Sequence, residues 1–194
     1  MMQSSEIPEA LLPCIVSVAG LKKSGKTAVV EALLSELRSR GKRVSSIKKM
    51  EHAALSLDPQ GTDTRRHADA GADVVVALLG AETVRFERLT TPASIRSIAP
   101  LFPRDTDVLV CEGIADRATA QLIVVCLRSR DDWDETLAVR NVASDAVLAV
   151  SGVAAAAVAP GELMLPQGIP MFDVGDVRQR SDLADLVLKS LPRC

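Results

Sequence analysis

Gly20-Leu21-Lys22-Lys23-Ser24-Gly25-Lys26-Thr27 decides how this chain folds. The stretch satisfies G-x-x-x-x-G-K-[ST], and its flanks supply the setting that pattern requires. Ahead of it runs the apolar CIVSVA, Cys14 to Ala19, suited to a buried strand; behind it, from Thr27, the residues fall into a helical period. The glycines let the backbone curl so that its N–H groups point at phosphate oxygens, and the helix adds the positive end of its dipole. Lys26 is expected to reach the β- and γ-phosphates, and the Thr27 hydroxyl to offer a hard oxygen ligand to a nucleotide's Mg2+. The phosphate-binding set is Gly20, Lys22, Lys23, Ser24, Gly25, Lys26, Thr27 and Ala28.

Working outward, Val30, Leu33, Leu34 and Leu37 share one face of the helix, which stops at Gly41 after Arg38 and Arg40. RVSSI, Arg43 to Ile47, reads as a second strand, followed by a polar, aperiodic loop over 48–61 and a short helix over 62–70. DVVVALL, Asp73 to Leu79, and the alternating ETVRFER, Glu82 to Arg88, flank Gly80 and predict an antiparallel hairpin. A helix from Thr91 and Pro92 to Ala99 comes next. Strands follow at DVLVCEG (Asp107 to Gly113), LIVVCL (Leu122 to Leu127), AVLAV (Ala146 to Val150) and IPMFDV (Ile169 to Val174), with an amphipathic helix over 177–191. Strands alternating with helices predict an α/β P-loop NTPase fold, a mostly parallel sheet with helices on both faces. We expect a single domain over 1–194, with residues 1–10 a loose leader.

Ligands in such sheets bind beyond the carboxyl ends of the strands, where Gly20, Lys48 and Glu112 emerge. Glu112, between an apolar strand and Gly113, stands where a P-loop protein carries the acid that holds the Mg2+ hydration shell or orients water; the bland alternative is a solvated strand end. Lys48 is placed to reach a bound anion, although lysines bordering a loop are commonly just solvated. In the run Asp58 to His67, a switch-like reading puts Asp63 on the metal and Arg65 or Arg66 on the phosphates. The competing reading has Thr62 or Asp63 capping a short helix and the arginines solvated. His52 and His67 have no Cys or His neighbour at ligand spacing, so a transition-metal site is not expected.

Composition bounds the rest. A net charge of −2 gives no global field for nucleic acid or an anionic membrane, and 2% aromatic residues disfavour base stacking. Leu11 to Leu21 lacks a basic leader, and Ala146 to Ala159 is shorter than the roughly 20 residues of a membrane span, so neither is read as a signal or a span. Cys14, Cys111, Cys126 and Cys194 lack close paired spacing, and three lie in apolar runs. Buried free thiols in a reducing, cytoplasmic setting are expected.

Three stretches together resemble a known family: GLKKSGKT with its strand, Ile47 to Asp73 (IKKMEH through DPQGTDTRRHADAGAD), and DVLVCEG. The chain is similar over its first 113 residues to MobB, the GTP-binding adaptors of molybdenum cofactor biosynthesis that assist formation of molybdopterin guanine dinucleotide. The resemblance implies that Gly25, Lys26 and Thr27 bind nucleotide phosphates and Mg2+, that Asp63 and Arg66 belong to a switch-like region, and that Glu112 is the Walker B type acid. It implies GTP and Mg2+ as cofactors, with molybdopterin a further candidate, and a homodimer with weak GTPase activity that meets molybdopterin or its guanylyltransferase. On this reading Lys26, Glu112 and Asp63 form the catalytic set and Thr27, Asp63 and Glu112 the metal set, with Lys48 and Arg66 added to the nucleotide contacts. The chain departs from the family in having one histidine in Lys48-Lys49-Met50-Glu51-His52, and no Asn-Lys-x-Asp motif is present, so guanine preference is implied by the resemblance alone.

Two other functions share parts of the pattern. A small-molecule kinase using ATP would employ Asp63 or Glu112 to orient an acceptor hydroxyl, but the sequence shows no clear arginine-rich lid. A metal-insertion GTPase would need a soft or imidazole ligand cluster that the chain does not display.

Overall fold

Most of the runs of Val, Leu, Ile and Ala that follow the turn signals leave few polar side chains to face water, and in a computed structural model of the chain those of β1, β5, β6 and β7 (14–20, 108–112, 122–126 and 147–151) lie inside a sheet covered on both faces. The structure describes residues 13–50, 60–87, 94–98, 101–115, 120–158, 165 and 168–191. The chain divides into two compact units, one of Met1–Lys49 with Ile95–Cys194 and one of Met50–Ser94.

The first unit holds strands β1 (Cys14–Gly20), β2 (Val44–Lys48), β5 (Val108–Glu112), β6 (Leu122–Cys126) and β7 (Val147–Ser151) in the spatial order β2-β5-β1-β6-β7. Every pairing is parallel. Each connection therefore returns over a face of the sheet, and the helices that make those returns supply its cover. Side chains alternate between the faces. Val16 and Val18 of β1, with Val108 and Val110 of β5, meet Val29, Leu33 and Leu37 of α1 (Lys26–Ser39) and Leu183 and Val187 of α6 (Val177–Ser190). On the other face Ile15, Leu109 and Cys111 pack on Ile95 of α3 (Ile95–Ile98). Further along that face Ile123, Val125 and Val150 pack on Trp133 of α4 (Trp133–Arg140) and on Ala154 and Ala155 of α5 (Val153–Ala156). Polar ties join α1 to α6 as well: Glu36 accepts from Arg180 at 3.0 Å, and Arg40, the C-cap of α1, donates to Asp185 at 3.1 Å as well as to Glu36 at 2.5 Å. Those two guanidinium groups, Arg40 foremost, hold the Glu36 carboxyl below the ordinary carboxylate range.

The second unit contains α2 (Asp63–Asp69) and an antiparallel hairpin of β3 (Val74–Leu79) and β4 (Glu82–Glu87). Of β3 only Val75 is buried; Val74, Val76, Leu78 and Leu79 are exposed.

The expected α/β sheet and the hairpin are both present. Three expectations change. IPMFDV is not a full strand: Met171 makes one isolated parallel bridge to Val150, and at the next residue the Phe172 carbonyl accepts the Ser151 side-chain hydroxyl at 2.6 Å. The stretch between LIVVCL and AVLAV, left without an element in the sequence reading, forms a 3-10 turn at Arg130–Asp132 and then α4. Its periodic signal is weak because Trp133 and Thr136 alone are buried. Cys111 and Cys126 are buried free thiols, but Cys14 is disulfide-bonded, since spacing along the chain says nothing of distance in space. The leader 1–10, His52, Asp58, Cys194, the start of the helix expected at Thr91 and most of the 48–61 loop lie outside the described residues.

Candidate functional site

The loop between β1 and α1 leaves the carboxyl end of the sheet's central strand, flanked by β5 and β6, the end at which open α/β sheets bind their ligands. Gly25 stands at the N-cap of α1 with φ 88°, a conformation open to glycine that swings the chain into the helix. Lys23 also has a positive φ of 64°, a cost that marks a loop held to one shape by its surroundings. The holding contacts come from below. The Leu21 carbonyl accepts from the Lys26 ammonium at 2.5 Å and from the Ser24 hydroxyl at 2.9 Å. The Gly20 carbonyl accepts from Arg140 Nε at 2.8 Å, and the Ser24 carbonyl from the Val153 N–H at 3.2 Å. The loop carbonyls that would repel an anion are thus engaged by donors, while the first turn of α1, Lys26 to Val29, carries no acidic side chain to oppose the dipole.

Arg140 and Gly152 escaped the sequence reading. Arg140 closes α4, a helix that was not anticipated, so nothing flagged its guanidinium. Gly152 follows β7 with φ 89°, and a Cβ there would stand 2.1 Å from the Ser24 carbonyl oxygen. The pattern strand–glycine at Val150-Ser151-Gly152, like Gly20 and Gly113 after their strands, is the signal that was available.

Glu112 ends β5 beside β1, in register with Val18, and beside β2, in register with Lys48. It is buried, 7% exposed, and a carboxylate in that position needs partners. Both come from the strand-end cluster: the Thr27 hydroxyl donates to Glu112 Oε1 at 3.0 Å, and the Lys48 ammonium lies 3.2 Å from the same oxygen. Lys48 Nζ is also 3.4 Å from Thr27 Oγ1. The donor set fits Mg2+, for the Thr27 hydroxyl and the Glu112 carboxylate are hard oxygens 3.0 Å apart, close enough to share one cation. Among the described residues no group of three or more His, Cys, Asp or Glu could hold a metal ion, so phosphate and water oxygens would have to complete the shell.

The structure therefore gathers Gly20, Ser24, Gly25, Lys26, Thr27, Lys48 and Glu112 in one unit. Lys22, Lys23, Thr27 and Ala28 are exposed on the loop and the first turn of α1. Asp63 and Arg66 belong to the second unit, on α2, where they pair with each other at 3.3 Å. Thr62 caps that helix by accepting from the Arg65 N–H, and Arg65 pairs with Asp69 at 3.1 Å. Cys126, beneath the loop and in register with Gly20, is no nucleophile: burial foremost pushes its thiol up to about 12, with Lys26 opposing and Glu112 adding.

The chain is similar to known proteins. The sequence model described as molybdopterin guanine dinucleotide synthesis protein B matches residues 15–151, well past the Gly113 at which the recognisable motifs end. A Haemophilus influenzae protein named molybdopterin-guanine dinucleotide biosynthesis adapter protein is 29% identical over 111 residues, 57% of this chain and 62% of that one. The match thus spans less than two thirds of that relative. The crystal structure of Bacillus subtilis MobB superposes with a TM-score of 0.64 at 24% identity, covering 93% of this chain and 99% of that one. A Bacillus stearothermophilus MobB homologue gives 0.59 at 20% identity, covering 90% and 98%. At such identities the two structures speak for the fold. Among the described residues no helix is long and apolar enough to cross a membrane.

Proposed function

The chain belongs to the molybdopterin guanine dinucleotide synthesis protein B family, and from that premise we propose that it is a cytoplasmic, nucleotide-dependent adaptor in molybdopterin guanine dinucleotide biosynthesis, binding GTP with Mg2+ and hydrolysing it slowly. The observation that carries the reading is the contact of Thr27 with Glu112 at the mouth of the Gly20–Thr27 loop. It joins the two protein groups a nucleotide-borne Mg2+ would need, at the end of a helix whose N–H groups favour phosphate. In the proposal Lys26 leaves the Leu21 carbonyl to reach the β- and γ-phosphates, and the exposed Lys22 and Lys23 add positive charge at the rim. Glu112 would offer its carboxylate to the metal beside the Thr27 hydroxyl. Mg2+ contributes charge neutralisation at the phosphates when bound. Asp63 and Arg66 are the proposed switch residues. The adaptor works as a homodimer and meets molybdopterin or the guanylyltransferase that uses it.

Titrating the protein with GTP, ATP and molybdopterin in Mg2+, beside Lys26→Ala, tests this reading. GTP is expected to bind in preference to ATP, with affinity falling at least tenfold in Lys26→Ala, the loss of a charge-assisted phosphate contact worth about 1.5–3 kcal/mol. ATP preference without molybdopterin binding would sink the adaptor reading in favour of a small-molecule kinase.

A further inference from the structure

We infer that Lys48 is a built-in stand-in for the divalent cation, whose ammonium holds the Thr27 and Glu112 oxygens until nucleotide-borne metal displaces it. This deepens the reading just given and rests on it. Three atoms form a closed triangle: Lys48 Nζ to Glu112 Oε1 at 3.2 Å, Lys48 Nζ to Thr27 Oγ1 at 3.4 Å, and Thr27 Oγ1 to Glu112 Oε1 at 3.0 Å. Register on adjacent strands, Lys48 opposite Glu112, puts the ammonium there. A buried carboxylate left unpaired is costly, so the lysine stabilises the metal-free form.

Mg2+ would take these oxygens at about 2.0–2.1 Å, and a dication so placed cannot share them with an ammonium a few ångströms away. Metal and lysine occupy the oxygens in alternation. The exchange is inexpensive for Lys48, because its side chain is 58% exposed and its four-carbon stem can carry the charge into water. The consequence is a filter. Metal arriving alone must displace the lysine with two protein ligands, whereas metal arriving on a nucleotide brings phosphate oxygens and the loop contacts with it.

The test is Mn2+ binding followed by its EPR signal on the nucleotide-free full chain, comparing wild type, Lys48→Met, Lys48→Arg and Lys48→Met with Glu112→Gln, each checked for folding by far-UV circular dichroism. Lys48→Met is expected to bind Mn2+ roughly fivefold more tightly, the upper end for losing a partly exposed ion-pair competitor. Lys48→Arg is expected to stay near wild type, and Glu112→Gln to abolish the gain. An affinity in Lys48→Met equal to or below wild type, or undetectable in both, overturns the inference. The same samples titrated with Mg2+ and GTP or ATP report separately on the nucleotide reading, whose failure leaves the nucleotide-free Mn2+ comparison standing.

Discussion

Two strands that look alike as sequence, VLVCE in β5 and VVVALL in β3, have opposite fates. Every residue of β5 is buried, whereas β3 alternates a buried Val75 with an exposed Val74, Val76 and Leu78. The strand beside each decides. β5 lies between two parallel neighbours with helices over both faces, while β3 has one partner, ETVRFE, whose own alternation places polar side chains opposite the exposed apolar ones: Val76 faces Arg85 and Leu78 faces Thr83. An apolar run reports that a strand forms; the neighbour's pattern reports how many of its faces are dry.

Substitutions at matched positions put that contrast at risk. The largest effect is expected for Leu109→Ala in β5, fully buried against Ile15 and Ile95, at about 2–5 kcal/mol in urea unfolding followed by Trp133 fluorescence. A loss under about 1 kcal/mol would mean that the sheet face is looser than its burial indicates. Val75→Ala, on the covered side of the hairpin, removes two methylene equivalents and should cost about 1.5 kcal/mol, read as faster hydrogen exchange of the β3–β4 amides. Val76→Thr with Leu78→Ser, on the open face, should change stability by no more than about 0.5 kcal/mol. A cost near that of Leu109→Ala would show that the open face is covered in solution and erase the distinction between the strands.

The same contrast explains what the sequence could reveal. The strand, glycine loop and helix over Cys14–Ser39 were legible because the motif fixes spacing and backbone conformation together. The hairpin was legible because Gly80 separates two β-rich runs, one of them alternating. Lys48 and Glu112 were each recognisable as strand ends. Their meeting was not, since it depends on β2 and β5 lying side by side, a choice that no local pattern encodes. Arg140 was hidden for a related reason: α4 buries too few residues to show a period, and its guanidinium acts on a carbonyl far back in the chain. Asp63 is a case where the bland and sharp readings overlap, for the helix cap is Thr62 and Asp63 sits in the first turn, paired to Arg66.

The bare backbone at Gly152 bears on anyone who would transplant the Gly20–Thr27 loop. Eight consecutive residues look like a portable cassette, yet the loop's floor is a glycine from the distant end of β7 that touches the Ser24 carbonyl where a methyl group would not fit. Grafted onto another scaffold, the cassette would need that remote glycine and the guanidinium of Arg140 as its bed. Natural variation should follow the same grammar, with position 152 locked to a single letter.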